Sequence, residues 1–369
     1  MKKVAFLTCG RSDFSIYSPL IEALKIKKYE ITVIAFGSHM SKIYGDSLAD
    51  IKSEDIDKII KIDQLNKNFL KKDIAISMSE TILQFSSIWE QHKFDLVFAL
   101  GDRFEMFAAV ASGVPFNTKF AHLHGGEKTL GAIDDVFRHS ITHMSSLHLT
   151  SSKNHSTRVS ELLGSDSNIH NVGAMALHNI QKNSLEQRDV FLKRLGVPND
   201  SFALVTIHPE TVNLKINLAL IKETLKALDK ITINKLVTLP NNDTNADVIR
   251  KNILSRKNKR DYFIFESLGK DGYYNALHNC EFMLGNSSSG IIESKFFKKN
   301  VINIGDRQLG RECNDNVIHI KPTKSEVIKA IKGLKSRLKK KGSRDVFYVK
   351  NAPEKAEQII SKFISKSSI

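Results

Sequence analysis

The sequence predicts an α/β protein with two domains, each built on a parallel β-sheet. Three observations support this prediction: the length of 369 residues, an ordinary composition, and short apolar runs that alternate with helical patterns. A single hydrophobic core usually stops growing below this length, so two domains are expected. The 41% hydrophobic and 26% charged residues are typical of a globular protein and give no sign of disorder.

Two series of short apolar runs predict the strands. The first series comprises residues 4–8, 31–36, 95–100, 120–124 and 147–151. The second series comprises residues 202–208, 235–240, 262–266, 281–285 and 301–305. Because helical patterns separate consecutive runs, each series is expected to form a parallel sheet.

A polar stretch separates the two series. Residues 175–200 are polar and end in a Pro-Asn-Asp turn signal, which predicts a domain boundary. We therefore expect residues 1–175 to form the first domain and residues 176–352 to form the second. A final helix within residues 353–369 is expected to return to the first domain.

The net charge of +15 is concentrated near the C-terminus. Residues 321–369 carry fourteen Lys or Arg against four Asp or Glu. Val327, Ile331 and Leu334 mark the apolar stripe of a helix there, so the lysines are expected on its solvated face. The sequence lacks the interleaved aromatic and basic residues of single-strand binders. No nucleic-acid partner is predicted, and the remaining charge suits an anionic substrate.

The cysteines and the apolar runs indicate the compartment. Cys9, Cys280 and Cys313 are odd in number and lack CxxC spacing, so neither a disulfide framework nor a zinc site is predicted. The N-terminal apolar run is too short for a signal peptide, and no run approaches the ~18 residues of a membrane span. A cytoplasmic protein without a membrane partner is expected.

Polar segments directly follow the predicted strands. They are TCGRSDFS, GDRFE, HGGEK, HPET, PNND and GNSSSG. In open α/β sheets, ligands bind outside the carboxyl ends of the strands. Two such sheet edges that face each other predict an active-site cleft between the domains.

Two of these segments suit a diphosphate. GNSSSG follows a strand and opens a helix, so Ser287, Ser288 and Gly290 offer hydroxyl and backbone N–H groups to an anion. Ser288 as a plain helix N-cap is the alternative, since capping and phosphate binding use the same residue types. TCGRSDFS carries Arg11, whose planar guanidinium suits a phosphate, and a cap of the next helix by Ser12 or Asp13 is the alternative for this segment. No P-loop motif occurs.

The stretch AHLHGGEKTLGAIDDVFRHS, residues 121–140, brings several acids together. Glu127 lies in a Gly-Gly turn, and Asp134 and Asp135 begin a predicted helix that also carries Arg138. One aspartate is expected to cap this helix or to pair with Arg138. The other aspartate and Glu127 are then available for proton transfer, because crowded carboxylates have separated pKa values.

Other polar side chains at strand ends leave alternatives open. Asp102 and Arg103 follow a strongly apolar strand, where they could form a structural ion pair or contact substrate. His208 ends the first strand of the second domain and is expected to contact substrate. His122 and His124 have the spacing of metal ligands on one strand face, but a third ligand is not evident.

In their order along the chain, these motifs resemble the hydrolysing nucleotide-sugar 2-epimerases, the UDP-N-acetylglucosamine 2-epimerases of bacterial sialic-acid synthesis. The resemblance rests on GDRFE, HLHGGE, GAIDDVFRHSITH, HPET, PNND, GNSSSGIIES and VINIGDRQLGRECNDNVI. It implies two facing Rossmann-like domains, as in GT-B glycosyltransferases. It also implies conversion of UDP-N-acetylglucosamine and water to N-acetylmannosamine and UDP, through a 2-acetamidoglucal that is rehydrated with inversion at C2.

The resemblance also implies roles for single residues. Proton transfer falls to Asp102, Glu127, Asp134, Asp135 and His208. Binding of the diphosphate falls to Arg11, Ser15, Arg103, Ser287, Ser288, Gly290 and Arg311. Glu293 is implied for the ribose hydroxyls and Asn242 for the base. No metal or redox cofactor follows, and the family suggests a homodimer or a homotetramer.

Three alternatives remain open at this point. Related enzymes of legionaminic-acid synthesis use a UDP- or GDP-linked 2,4-diacetamido-2,4,6-trideoxy sugar. Non-hydrolysing epimerases share the fold and retain the nucleotide, although HLHGGE and IGDRQLGRE favour the hydrolysing branch. A GT-B glycosyltransferase would use the same phosphate cleft. The residue that acts as the C2 base is not evident from the sequence.

Overall fold

The structure is a computed structural model, which describes residues 1–40, 51, 56–63, 71–130, 134–182, 185–210, 213–240, 245–337 and 344–366. The chain divides into two compact units. The first unit comprises Met1–Glu127, Asp134–Gln181 and Phe347–Ile369. The second unit comprises Lys128–Ile133 and Lys182–Val346.

The first unit is built on a seven-stranded parallel sheet. Its strands are β1 (Lys3–Thr8), β2 (Glu30–Ala35), β3 (Lys58–Lys61), β4 (Leu96–Leu100), β5 (Phe120–Leu123), β6 (Leu147–Thr150) and β7 (Ile169–Asn171). Their order across the sheet is β3-β2-β1-β4-β5-β6-β7. All five strands that the sequence predicts here are confirmed, and β3 and β7 are additional.

Seven helices of the described chain surround this sheet. They are α1 (Arg11–Ile26), α2 (Lys71–Gln91), α3 (Phe104–Gly113), α4 (Asp134–His143), α5 (Lys153–Leu163), α6 (Ala176–Lys182) and the C-terminal α13 (Ala352–Lys366). Short 3-10 turns lie at Gly37–Met40 and Val114–Phe116.

Side chains of β1 alternate between two cores, one on each face of the sheet. Val4 and Phe6 pack into the core that α1 and α13 cover, whereas Ala5 and Leu7 pack into the core that α2 and α3 cover. A strand buried on both faces reads as a continuous apolar run, which is why β1 is apolar along its length. The sheet is therefore a rigid support for the loops at its edge.

The second unit is built on a six-stranded parallel sheet. Its strands are β8 (Phe202–Thr206), β9 (Asn234–Thr238), β10 (Tyr262–Phe265), β11 (Phe282–Gly285), β12 (Asn300–Ile304) and β13 (Val317–Ile320). Their order is β10-β9-β8-β11-β12-β13. The five predicted strands are confirmed again, and β13 is additional.

The helices described in the second unit follow the same alternation. They are α7 (Arg188–Arg194), α8 (Asn217–Leu228), α9 (Ala246–Leu254), α10 (Gly269–Asn279), α11 (Ser288–Ile292) and α12 (Lys324–Arg337), with a 3-10 turn at Leu214–Ile216. The predicted stripe of α12 is confirmed, since Val327 and Leu334 are buried in the core and Ile331 packs against it. Lys329 and Lys332 are exposed on the same helix.

The strand orders indicate where ligands bind. Both sheets place their first strand next to their fourth, the order of the doubly wound Rossmann sheets. The α/β prediction with two parallel sheets of this type is confirmed. In such sheets the binding crevice lies outside the carboxyl ends of the strands where the order reverses, here β1 with β4 and β8 with β11. No helix within the described ranges is long and apolar enough to cross a membrane.

Candidate active site

The predicted acids of the first unit follow neighbouring strands. Asp102 comes two residues after β4, and Glu127 comes four residues after β5. Asp134 and Asp135 form the first turn of α4 and are half-buried. Because carboxyl ends of parallel strands share one sheet edge, the sequence order β4, β5, α4 brings these side chains into one region.

Arg138 of α4 connects the acids. Its guanidinium is buried, with 1% of the residue exposed, and its Nη2 pairs with the carboxylate of Asp102. Its Nη1 donates to the carbonyl oxygen of His124 at 3.0 Å and lies 3.9 Å from Oε2 of Glu127. Burial alone would lower the pKa of Arg138, but the negative charges of Asp102 and Glu127 raise it by more. The net shift of the Arg138 pKa is therefore upward. Arg138 therefore stays charged and ties the end of β4 to the turn after β5.

Glu127 is the most deeply buried of the predicted acids, with 2% of the residue exposed. Its Oε1 lies 2.6 Å from Nδ1 of His124 and accepts a hydrogen bond from Oγ of Ser151 at 2.8 Å. Oγ of Ser151 lies 2.9 Å from Nδ1 of His155, which can donate to it. The carboxylate is thus held in one orientation by side chains from the ends of β5 and β6 and from α5.

The Gly-Gly turn before Glu127 has a steric reason. Gly126 has a φ of +77°, and a Cβ there would lie 2.3 Å from the carbonyl oxygen of His155. Only glycine fits this position without displacing backbone. His124, two residues earlier, also adopts a left-handed conformation, with a φ of +62°. The close approach of the turn to α5 brings Glu127 to Ser151.

His122 has a positioning contact that the sequence does not reveal. Burial lowers the pKa of His122 to about 3, so the ring is neutral. Its Nε2 lies 2.8 Å from the carbonyl oxygen of Gly101, to which it donates, and its Nδ1 lies 3.0 Å from Oγ1 of Thr142. The ring thereby fixes the residue that precedes Asp102.

No group of three or more His, Cys, Asp or Glu side chains among the described residues could hold a metal ion.

Arg103 lies beside Asp102 but pairs with Glu105. Its Nε and Nη2 lie 3.2 Å and 3.0 Å from the two carboxylate oxygens of Glu105, a bidentate arrangement. Glu105 raises the pKa of Arg103 further, and the guanidinium is partly exposed.

Ser15 lies on α1, where its carbonyl oxygen accepts a hydrogen bond from the side chain of Asn179. Arg11 begins α1, and its side chain lies outside the described part of the structure.

In the second unit, Asn286 holds His208 in place. The amide oxygen of Asn286 accepts from the backbone N–H of His208 at 2.7 Å, and its Nδ2 donates to the His208 carbonyl oxygen at 2.9 Å. His208 follows β8 and is 6% exposed, and Asn286 follows β11. The two strands at which the order reverses are therefore joined at their carboxyl ends.

The three serines of GNSSSG lie at the start of α11. Ser287 is the N-cap residue, and its Oγ lies 3.0 Å from Oγ of Ser289, which lies 2.5 Å from the hydroxyl of Tyr273. Ser288 is exposed. Gly290 donates its N–H to the Ser287 carbonyl at 3.2 Å, and a Cβ on it would lie 3.1 Å from Met283 Sδ. Gly290 therefore lets α11 pack closely on β11.

The remaining predicted residues lie near this helix. Glu293 follows α11, and burial raises the pKa of its carboxyl to about 7. Nη1 of Arg311 donates to Oε1 of Gln308 at 3.0 Å, and Nε2 of Gln308 donates to the carbonyl oxygen of Asn286 at 2.8 Å. Arg311 is thus connected to the end of β11. Asn242 lies outside the described residues.

Several contact residues were missed from the sequence. Asn286 lies within GNSSSG, where no role was predicted for it, and Ser151 was predicted as the last residue of a strand that ends at Thr150. Glu105 lies within GDRFE, where only its neighbours were considered. Gln308 gives no local signal, because its partner Asn286 is 22 positions away in sequence.

Comparison with known proteins places these features in a family. The sequence profile of the family described as UDP-N-acetylglucosamine 2-epimerase matches residues 22–361. The chain is 36% identical over 324 residues to the GDP/UDP-N,N'-diacetylbacillosamine 2-epimerase (hydrolyzing) of Campylobacter jejuni, covering 86% of this chain and 84% of the relative.

Two further comparisons agree. The chain is 30% identical over 339 residues to the UDP-N,N'-diacetylbacillosamine 2-epimerase (hydrolyzing) of Legionella pneumophila, covering 90% of this chain and 88% of the relative. The solved complex of S. aureus MnaA with UDP superposes with a TM-score of 0.81 at 18% identity, covering 99% of this chain and 97% of the other. That likeness shows a shared fold. The match of the profile over most of the chain, with the identities above, shows that the chain belongs to the UDP-N-acetylglucosamine 2-epimerase family.

Proposed function

We propose that the chain is a hydrolysing nucleotide-sugar 2-epimerase, which releases a 2-epimerised acetamido sugar and a nucleoside diphosphate. The acidic cluster at the carboxyl ends of β4 and β5 supports this proposal most strongly. Asp102 and Glu127 are both held by the buried Arg138. Removal and return of a proton at a carbon that is not acidic require acid and base groups at fixed positions.

The proposed reaction has two stages. In the first, a base removes the proton from C2, the C–H electron pair forms the C1–C2 double bond, and the C1–O bond breaks with its pair on the diphosphate oxygen. In the second, an acid adds a proton to C2 from the opposite face, and water adds to C1 and loses a proton. The free sugar therefore has an inverted C2. No oxidation state changes overall, so the proposal invokes no redox cofactor.

Most of the proton-transfer groups in this proposal belong to the first unit. They are Asp102, Glu127 and Asp134, with Asp135 nearby and with His208 of the second unit as a further candidate. Asp102 and Asp134 are partly exposed, so each can meet a substrate directly. Glu127 is buried and already bonded to His124 and Ser151, so it is expected to act through a neighbour.

The groups that bind the nucleotide are proposed from both units. They are Arg11, Ser15, Arg103, Asn242, Ser287, Ser288, Gly290, Glu293 and Arg311. The arginines neutralise charge that develops on the departing diphosphate, and hydroxyl groups at a helix N-terminus add hydrogen bonds to it. A homodimer or homotetramer is part of the proposal, and the mass of the protein in solution tests it.

The relatives favour a diacetamido sugar as the substrate. Both relatives above carry names that specify N,N'-diacetylbacillosamine, a 2,4-diacetamido-2,4,6-trideoxy sugar, linked to UDP or GDP. UDP-N-acetylglucosamine is the second candidate, because the matching family profile carries that sugar in its description. Both sugars have the C2 acetamido group and the anomeric diphosphate that the proposed reaction uses.

A substrate panel tests this proposal. The purified chain is incubated with UDP-N-acetylglucosamine and with UDP- and GDP-linked diacetylbacillosamine, and products are identified by NMR. We expect free 2-epimerised sugar and nucleoside diphosphate, formed fastest from a diacetamido substrate. A 2-epimer that remains linked to its nucleotide would place the chain with non-hydrolysing enzymes. Transfer of the sugar to an acceptor would indicate a glycosyltransferase.

A further inference from the structure

His124 carries two unfavourable features at once. It is 7% exposed, and its Nε2 is buried and has no hydrogen-bond partner among the residues that the structure describes. A buried polar atom without a partner costs about 1–3 kcal/mol. The residue also has a φ of +62°, a backbone conformation that costs a non-glycine residue on the order of 1 kcal/mol. Features of this kind are retained mainly at functional sites.

The other ring nitrogen of His124 is fully engaged. Its Nδ1 lies 2.6 Å from Oε1 of Glu127, a distance typical of a strong hydrogen bond to a carboxylate. Ser151 donates to the same oxygen, and Arg138 lies 3.9 Å from the other oxygen, so negative charge on Glu127 is stabilised. The proton of a neutral His124 ring therefore resides on Nδ1, which leaves a lone pair on Nε2.

We propose that His124 is the base that removes the C2 proton, and that Glu127 is the positioning residue that fixes its tautomer and stabilises the imidazolium. This inference rests on the proposed function. The proton of C2 is transferred to Nε2, the C–H electron pair becomes the C1–C2 double bond, and the C1–O pair leaves with the diphosphate. A carboxylate that orients a histidine in this way serves the same purpose in serine hydrolases.

The arrangement accounts for the burial of Glu127. Oε1 of Glu127 is already bonded to His124 and Ser151, and its Oε2 faces Arg138, so neither carboxylate oxygen is available to take a proton from a sugar. The same carboxylate is well placed to hold a histidine through Nδ1. His124 belongs to the turn after β5, so its ring is positioned by the rigid end of a central strand.

Replacement of His124 by Asn separates catalysis from positioning. The Asn side chain can place an N–H where Nδ1 of His124 lies, and Asn tolerates the left-handed backbone, but it lacks an equivalent of Nε2. We expect His124→Asn to lower kcat at least about 100-fold, with KM and the Kd for UDP within about threefold of the wild type. His92→Asn, which removes a histidine after α2, is the matched control and should keep full activity.

Chemical rescue provides a second readout. His124→Gly suits the left-handed backbone and leaves room for a free imidazole. Added imidazole should restore part of the kcat of His124→Gly and none of that of His124→Asn, which fills the space. A wild-type kcat in His124→Asn, or no rescue of an inactive His124→Gly that binds UDP normally, would overturn the assignment of His124 alone. A wild-type chain that epimerises no sugar of the panel would overturn the proposed function instead.

Discussion

Among single residues, Arg138 is expected to contribute strongly to stability. Its guanidinium is buried and pairs with Asp102, so Arg138→Met leaves the carboxylates of Asp102 and Glu127 without their compensating charge. Removal of one partner from a buried pair typically costs about 3–5 kcal/mol. We expect a loss of this size in the free energy of unfolding, measured by urea denaturation.

Two further variants control this prediction. Val136→Ala changes a residue of the same helix that is 70% exposed, and it should change the free energy of unfolding by less than about 0.5 kcal/mol. In the double variant Asp102→Asn, Arg138→Met the loss should be smaller than the sum of the two single losses. Additive losses would show that the two side chains do not interact in the folded protein.

Glu293 predicts a pH dependence of stability. Burial raises the pKa of its carboxyl to about 7 in the folded chain, above the value of 4.5 for an unperturbed glutamate. Between these values the folded chain holds a proton that the unfolded chain releases, so the free energy of unfolding falls as pH rises through this window. The slope is at most about 1.4 kcal/mol per pH unit.

The variant Glu293→Gln removes this titration. Its free energy of unfolding, measured by urea denaturation from pH 4.5 to 7, should fall less steeply with pH than that of the wild type. Parallel curves for the two proteins would show that the Glu293 carboxyl titrates with its ordinary pKa.

The sequence identifies many residues of the site but not how they pair. Asp102 and Glu127 were identified as polar residues that follow apolar strands and Asp134 as the start of a predicted helix, and the family resemblance implied their roles in proton transfer. The ion pair of Arg138 with Asp102 joins residues 36 positions apart, and the spacing rules of a single helix cannot predict it. Nε2 of His124 has no hydrogen-bond partner among the described residues, which is likewise a property of the folded chain and not of a local pattern.

At the level of helices and strands, the strands that the sequence missed all lie at sheet edges. These are β3, β7 and β13, which end the two strand orders. Their residues are only partly buried, so they lack the continuous apolar run that identifies a central strand. The edge strand β10 was predicted because its four residues are aromatic or β-branched. Burial on both faces therefore accounts for the predicted central strands, and residue type accounts for β10.

The junction of β11 with β8 depends on a glycine. Gly285 has a φ of +149°, and a Cβ there would lie 1.8 Å from the carbonyl oxygen of Thr206. Gly285→Ala must displace backbone beside Asn286 and His208, and we expect it to lower the free energy of unfolding by at least about 3 kcal/mol. Thermal and urea unfolding measure this change.

A second glycine provides the matched control. A Cβ at Gly333 of α12 would meet no atom within 4 Å, so Gly333→Ala should raise stability by up to about 1 kcal/mol through helix propensity. Equal effects of the two substitutions would mean that the close approach of β11 to β8 does not constrain the fold.

At the scale of the whole molecule, the last helix completes the first unit. Ala356, Ile360 and Ile364 of α13 lie in the same core as Leu20 and Leu24 of α1. Truncation of Ile360 to Ala should therefore cost about 2–5 kcal/mol in that unit. Lys362→Ala, an exposed change on the same helix, should have little effect. If both variants unfold at the same urea concentration, α13 does not contribute to the core.

The two units share a strand order but differ in the chemistry at their strand ends. The acids and the pair of His124 with Glu127 follow strands of the first unit, and the serines, Glu293 and Arg311 follow strands of the second. This division matches the two demands of the proposed reaction, proton transfer at the sugar and binding of the nucleotide. The α/β fold was predictable from the sequence, because apolar runs that alternate with helical patterns are local and repeat along the chain. The motifs were recognisable because each is a short local segment.

Turnover in deuterium oxide tests the central claim most directly. Elimination of the nucleoside diphosphate across C1 and C2 removes the C2 hydrogen, and rehydration introduces a hydrogen from solvent. We therefore predict that the free 2-epimerised sugar carries deuterium at C2 and appears together with one equivalent of nucleoside diphosphate, as read by NMR. A released sugar that retains its original hydrogen at C2 would contradict the account.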